Sequence, residues 1–400
     1  MMNDNKFGMF IHWGIYAVAG LQEQVFARYD MPREEYEKYQ EVFDPADYDP
    51  EKWVKLAKKA GMEYICFTAK HHDGFCMWDT KYTDYSIMHT PYGKDVLKML
   101  ADACRKYDMR LSLYYSNPDW HHPYGYNPLS THQWKAVRSD WVDMDVYKTY
   151  IKNQLTELLT NYGPIYTLFW DIPPKMVDKS INELARELQP GILINDRGFD
   201  VGDFSTPERE YAATPDTPRF TRMTEACNSV GVQSWGYRRN EDFYSLRHLT
   251  SAIDHIMAMG GSYLLNVGPD EKGVIAPEYA SRIEKIGDWY TRMEGALKDH
   301  ESDPFDYGVR TDKCIVTKKN GKSYFHFYEG LRSNAVVMQN APCPKSIRLL
   351  NTGETLPFSV DVLPEFFNGT SGQAGAPALH IFDIPVDDLS NEPIVLEAEF

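Results

Sequence analysis

Several features that mark common protein classes are missing from this sequence. Its six cysteines, at positions 66, 76, 104, 227, 314 and 343, include no CxxC pair or other zinc-type spacing, so neither a disulfide framework nor a structural zinc site is implied. Positive charge is scarce: 42 Lys and Arg stand against 58 Asp and Glu, a net charge of −16, and no basic block stands out. That balance argues against nucleic acid and anionic membrane surfaces as partners. No run of about 18 apolar residues occurs, and Met1 to Lys6 carries no apolar signal-peptide core. The expectation is a soluble protein, cytoplasmic or exported with its signal removed. Internal repeats, low-complexity segments and the metal-ligand spacings HExxH and HxH are absent as well.

Aromatic residues, by contrast, make up 14% of the chain, with nine Trp and 27 Tyr. Sugar rings stack on aromatic faces, although most of these rings are expected to be ordinary core. Short apolar runs repeatedly end in polar groups. Phe7 to Ile11 runs into His12-Trp13-Gly14, and Tyr64 to Thr68 leads to His71-His72-Asp73-Gly74-Phe75. Leu111 to Leu113 ends in Tyr114-Tyr115-Ser116, and Tyr166 to Phe169 ends in Trp170-Asp171. Stretches with helical i, i+3, i+4, i+7 spacing lie between, such as Trp53, Leu56, Ala57 and Ala60 before Gly61. Leu193-Ile194-Asn195 and Tyr263 to Val267 read as further strands. Alternating strands and helices predict an α/β fold, an irregular (β/α)8-like (TIM-type) barrel over residues 1–300, whose active face gathers the C-terminal strand ends.

From about residue 305 the pattern changes to short alternating runs. Ile315 to Lys318 and Ser323 to Tyr328 flank Asn320-Gly321, the residue pair that type I′ hairpin turns prefer. Residues 301–400 are therefore expected to form a C-terminal antiparallel β-sandwich.

Six segments together resemble the retaining α-L-fucosidases of glycoside hydrolase family 29. They are Lys6 to Gly14, Lys70 to Phe75, Phe169-Trp170-Asp171, Asn195-Asp196-Arg197, Ser234-Trp235-Gly236-Tyr237 and Leu264 to Pro269. The resemblance implies an exo-acting enzyme that releases terminal α-L-fucose from fucosylated oligosaccharides or glycoconjugates through a covalent fucosyl-enzyme intermediate, without metal or cofactor. Such chemistry needs one carboxylate to attack the anomeric carbon and one carboxylic acid to protonate the leaving oxygen.

Read from its residues alone, Asp171 is a candidate nucleophile, a helix N-cap or half of a buried salt bridge. The resemblance puts the nucleophile there. It puts the acid/base on Glu208, in a loop after the fifth strand, with Glu225 and then Glu210 as alternates. It also implies that His12, His71, His72, Tyr114 and Arg197 bind fucose hydroxyls, with Trp235 and Phe169 as an apolar wall for the methyl group and Trp170 beside them. One departure stands out: where many members have an acidic residue followed by Trp, the sequence aligns Gln24 and Val25, with Glu23 one step away. Asp119-Trp120-His121-His122 reads equally as a lining of the leaving-group side or as a surface loop.

A metal-dependent hydrolase and a catalytically inactive fucose-binding protein are the rival readings. Adjacent histidines such as His71-His72 rarely ligate one ion, because successive strand side chains point to opposite faces. Both candidate carboxylates are present, which disfavours an inactive binder. Nothing in the sequence decides whether copies of the chain form a homo-oligomer.

Overall fold

The computed structural model describes residues 6–138, 143–209, 219–309, 312–362 and 377–400. Seven parallel strands form its first sheet: β1 (Phe7–Ile11), β2 (Tyr64–Lys70), β3 (Arg110–Ser116), β4 (Ile165–Asp171), β5 (Leu193–Ile194), β6 (Glu225–Ser229) and β7 (Ser262–Val267). Their order is β5-β4-β3-β2-β1-β7-β6. Every pairing is parallel, so all the C-terminal ends open on one side.

Helices return the chain between strands, and their starts follow from local chemistry. Asp49 caps α1 (Pro50–Lys59), whose first residue is a proline. Asp95 caps α2 (Val96–Lys106), Asp143 caps α3 (Met144–Asn161), Asp178 caps α4 (Lys179–Leu188) and Ser245 caps α5 (Leu246–Ala258). In each the capping oxygen accepts a backbone N–H that the helix itself cannot satisfy, worth about 1 kcal/mol. A long helix, α6 (Pro277–Leu297), ends the α/β part.

The sheet edges β5 and β6 are joined by a segment expected to be a loop. Residues 204–208 make parallel bridges on both sides, Asn195 to Phe204 toward β5 and Ser205 to Thr224 and Glu208 to Cys227 toward β6. Backbone bonds such as Asp196 N–H to Phe204 O (2.9 Å) and Cys227 N–H to Pro207 O (3.0 Å) hold it there. Glu208 thus stands on a rudimentary strand that closes the barrel. Thr206-Pro207 explains why sequence patterning missed it, since proline cannot donate to a ladder.

Strand alternation divides the core in two. Phe10, Tyr64, Cys66, Tyr114, Phe169, Cys227 and Leu264 cluster inside the barrel. Their neighbours, including Ile11, Ile65, Tyr115 and Trp170, pack outward in the larger core with the helices.

The C-terminal part has antiparallel strands in two sheets. The first contains β8 (Glu301–Ser302), β9 (Ile315–Lys319), β10 (Lys322–Phe327), β12 (Ser346–Leu349) and β15 (Ile394–Glu399), and the second β11 (Val336–Met338), β13 (Phe358–Val362) and β14 (Pro377–Ile381). The β9–β10 hairpin turns on Asn320 and Gly321, both with positive φ, as the sequence predicts. These strands enclose a core of their own that includes Phe325, Phe327, Leu379 and Leu396. A buried hydrogen bond from His326 Nδ1 to Asp254 Oδ1 (2.9 Å) ties β10 to α5.

No helix among the described residues is long and apolar enough to cross a membrane.

Candidate active site

The C-terminal strand ends surround a cavity of about 350 Å³, a size that suits a small ligand. Every strand of the sheet but β7, or the residues just after it, supplies part of the lining. His12 follows β1, His71 and His72 follow β2, Tyr114 and Phe169 come from β3 and β4, and Asp171 ends β4. Arg197 follows β5, Glu208 stands on the closing segment, and Trp235 comes from the loop after β6.

The turn that presents the two histidines is sterically fixed. Gly74 has φ +84°, and a Cβ there would lie 2.2 Å from Asp119 Oδ1, so only glycine fits. Asp73 serves this turn and not the pocket: its carboxylate accepts from the Tyr36 hydroxyl (2.6 Å) and from Phe75 N–H (3.2 Å).

Asp171 is almost enclosed and fully engaged. Its Oδ1 accepts from Arg197 Nη1 and Ile172 N–H, both at 2.9 Å, and its Oδ2 accepts from the Tyr114 hydroxyl at 2.7 Å. His72 Nε2 lies 3.8 Å from the same Oδ2. Burial alone would raise this carboxyl, but the Arg197 charge, His72, the Tyr114 hydroxyl and Ile172 N–H together bring it down to about 2. An ionised, apically placed carboxylate is what a nucleophile requires.

The Arg197 Nη1 that holds Asp171 also donates to Glu208 Oε1. With one nitrogen bonded to both, the nearest oxygens of the two carboxyls lie no more than about 6 Å apart. Glu208 is shifted in the opposite direction from Asp171. Partial burial raises its carboxyl, the Asp171 charge adds to that, and Arg197 opposes both without cancelling them. Its side chain keeps 40% exposure while it lines the cavity, so it stands where the cavity opens to solvent. Two neighbouring carboxyls with their pKa values driven apart supply a base and an acid.

The remaining walls are built for hydroxyl groups. Burial lowers the pKa of His12, His71 and His72, the last to about 3, so all three are neutral imidazoles that can both donate and accept. His12 Nδ1 pairs with Asn266 Oδ1 and His72 Nδ1 with Ser116 Oγ, both at 2.7 Å, leaving each Nε2 for a ligand. Phe169 stacks on Tyr114 and Trp235 packs beside His12, with ring centroids 5.8 and 5.2 Å apart.

Some expected site residues do not reach the cavity. Trp170 is fully buried and points outward, its Nε1–H donating to Asn182 Oδ1 on α4 (3.0 Å), because it alternates with the inward-facing Phe169 and Asp171. Glu225 begins β6 at the opposite end of the barrel, where its Oε2 accepts from the Tyr64 hydroxyl (2.7 Å), and it is not among the lining residues. Glu210 lies outside the described residues. Asp119 is fully buried against Lys70 Nζ (2.8 Å) and accepts the His121 and His122 N–H groups, so it braces the loop from within; none of the four residues lines the cavity, and His121 and His122 stay partly exposed.

Other lining residues went unpredicted. His132 enters from the loop after β3, and no sequence pattern marks it. Glu23, one step from the aligned position, lines the pocket while its Oε2 accepts from Ser234 Oγ, Trp235 N–H and Gly236 N–H. A single carboxylate thereby fixes the turn that carries Trp235. Gln24 lines the cavity too, whereas Val25 is buried away from it. Among the described residues, no group of three or more His, Cys, Asp or Glu is placed to hold a metal ion.

A family model described as alpha-L-fucosidase matches residues 1–294. Tissue alpha-L-fucosidase of Rattus norvegicus is 25% identical over 391 residues, covering 88% of this chain and 80% of the rat protein. Among solved structures, alpha-L-fucosidase isoenzyme 1 from Paenibacillus thiaminolyticus superposes with a TM-score of 0.84 at 30% identity, covering 99% of this chain and 97% of that one. Thermotoga maritima alpha-fucosidase, solved in complex with a mechanism based inhibitor, gives a TM-score of 0.76 at 26% identity and coverage of 100% and 96%.

Proposed function

The chain belongs to the alpha-L-fucosidase family of glycoside hydrolases, and from that premise we propose that Asp171 is the nucleophile and Glu208 the acid/base of a retaining hydrolase acting on terminal α-L-fucose. One observation carries the assignment: a single Arg197 nitrogen bonds both carboxyls. That limit of about 6 Å suits the 5 to 5.5 Å spacing of retaining enzymes better than the 6.5 to 9.5 Å that leaves room for water in inverting ones. The mechanism-based inhibitor bound by the Thermotoga enzyme supports the same two-step chemistry.

In the first step an Asp171 oxygen attacks C1 while Glu208 gives its proton to the departing oxygen. In the second, Glu208, now ionised, takes a proton from water, which attacks C1 and releases Asp171. The Tyr114 hydroxyl and Ile172 N–H hold the Asp171 carboxylate oriented through both steps. Neutral His12, His71 and His72 match hydroxyls that donate and accept. Trp235 and Phe169 give the C6 methyl an apolar wall; a galactose would bury its additional hydroxyl there without a partner, at a cost of about 1 to 3 kcal/mol. The substrate is a fucosylated oligosaccharide or glycoconjugate, and the catalytic part spans residues 1–300, followed by the β-sandwich at 301–400.

Asp171→Gly should lose turnover, and added azide should restore part of it, giving β-fucosyl azide. An Asp171→Asn protein with an undiminished rate would remove the nucleophile assignment.

A further inference from the structure

Trp134 is the most exposed tryptophan among the described residues. Trp13, Trp53, Trp78, Trp120, Trp170 and Trp289 are each no more than 2% exposed, whereas Trp134 is 53% exposed. Leaving so large an apolar ring in water is costly, and this ring lies next to the active site. Its centroid is 4.5 Å from that of His132, which lines the cavity, and the His132 ring is in turn 5.5 Å from that of His72.

The ring is held and does not hang free. The Arg28 guanidinium sits over it at 4.9 Å from the centroid, and Arg28 is itself oriented by the pocket residue Gln24 (3.1 Å). Arg33 donates to the carbonyls of Trp120 and Lys135. Trp120 Nε1–H donates to His132 O at 2.7 Å, and Lys135 Nζ pairs with Asp30 Oδ1 at 2.6 Å. Backbone on both sides of Trp134 is therefore tied to buried or paired groups. His132 adopts a left-handed φ of 61°, a conformation that costs energy for any residue but glycine and gathers at functional sites.

We infer that Trp134, backed by Arg28 and next to His132, is a leaving-group platform that stacks the apolar C–H face of the pyranose ring attached to the fucose. The inference rests on the proposed exo-acting reading, in which the fucose fills the cavity and its aglycone must pass the rim. An aromatic face with adjacent polar donors suits a sugar ring, which has C–H groups on its faces and hydroxyls at its edge.

The test uses the Asp171→Asn protein, so that substrate is bound and not consumed. Calorimetry first selects the tightest-binding member of a panel of α1,2-, α1,3-, α1,4- and α1,6-fucosyl disaccharides, then measures it and free L-fucose with and without Trp134→Ala. The ratio of disaccharide to fucose affinity should fall about tenfold, and Trp134→Phe should recover most of it. A ratio within twofold of the parent, or equal weakening of both ligands, overturns the platform. Failure of the nucleophile assignment is read separately, from turnover by Asp171→Asn itself; if that protein is active, the same ratio is read as kcat/KM for the disaccharide against α-L-fucosyl fluoride, whose leaving group is too small to reach the ring.

Discussion

The barrel holds buried carboxyls at both ends, and their contrast shows how a fold assigns roles to like groups. At the C-terminal end Asp171 meets a guanidinium, a hydroxyl and a backbone N–H, and its pKa is brought down to about 2. At the N-terminal end Glu225 is equally enclosed, but its Oε2 has only the Tyr64 hydroxyl and its Oε1 meets no partner. Burial, opposed only weakly by Tyr64 and the more distant Arg197, pushes it up to about 7. Burial is common to both; the charged partner is not. Desolvation alone yields a neutral acid, and a nearby cation turns the same environment into a site for an anion. Glu208 shares Arg197 with Asp171 but is partly open to solvent, and burial with the nearby Asp171 charge raises its carboxyl in spite of that cation.

The contrast can be broken most severely at Glu208. Glu208→Gln removes the proton donor and should cost 10²- to 10⁴-fold in kcat/KM on a fucosyl disaccharide, within the usual worth of acid catalysis, about that range. The loss should be smaller on an aryl fucoside whose leaving group needs no proton, and the alkaline limb of its pH profile should vanish, because that limb reports deprotonation of Glu208. A variant that keeps the alkaline limb would assign it to another group.

Arg197→Met attacks the distinction itself and should act less on rate, by about a hundredfold. Without the guanidinium, Asp171 comes to resemble Glu225, enclosed and short of a cation. Its pKa should rise, so the acid limb of kcat/KM should move to higher pH. An acid limb left in place while activity falls would mean that Arg197 binds substrate and does not hold the nucleophile ionised.

How much of this was legible in the sequence follows from the same physics. Strands such as Phe7–Ile11 and Tyr64–Lys70 are continuous apolar runs, as parallel strands buried on both faces must be, and the polar groups that end them are visible at fixed places. The segment at 204–208 was not legible, because it joins the sheet through isolated bridges and carries Pro207. β6 was missed for a related reason: Glu225-Ala226-Cys227-Asn228-Ser229 is fully buried but mostly polar, so no hydrophobic pattern marks it. Trp170 was misread because facing is set by register, and in the motif Phe169-Trp170-Asp171 only alternate residues can point inward. His132 and Glu23 depend on long loops returning to the barrel mouth, contacts that no local pattern encodes.

The smallest effect on activity, and the sharpest on the comparison, is expected from Glu225→Gln. Away from the reacting centre it should change kcat/KM by no more than about threefold, consistent with a group outside the transition-state contacts. Stability is where it should act. Glu225 titrates near 4.5 when the chain is unfolded and near 7 when folded, so between those values the folded state binds the additional proton and stability falls as pH rises. The full span is about 3 kcal/mol, from 1.36 kcal/mol per pKa unit. Its contribution is complete below the unfolded value and gone above the folded one. Asp171 acts in the opposite sense and at lower pH, losing its contribution as pH falls below 3.8 toward 2. Glutamine at 225 keeps a donor and acceptor for Tyr64 but cannot ionise, so denaturant unfolding at pH 5 and pH 8 should give more nearly equal stabilities in Glu225→Gln than in the parent. If the two proteins lose the same amount between those pH values, Glu225 is not the buried acid its surroundings dictate, and the contrast between the two ends of the barrel fails with it.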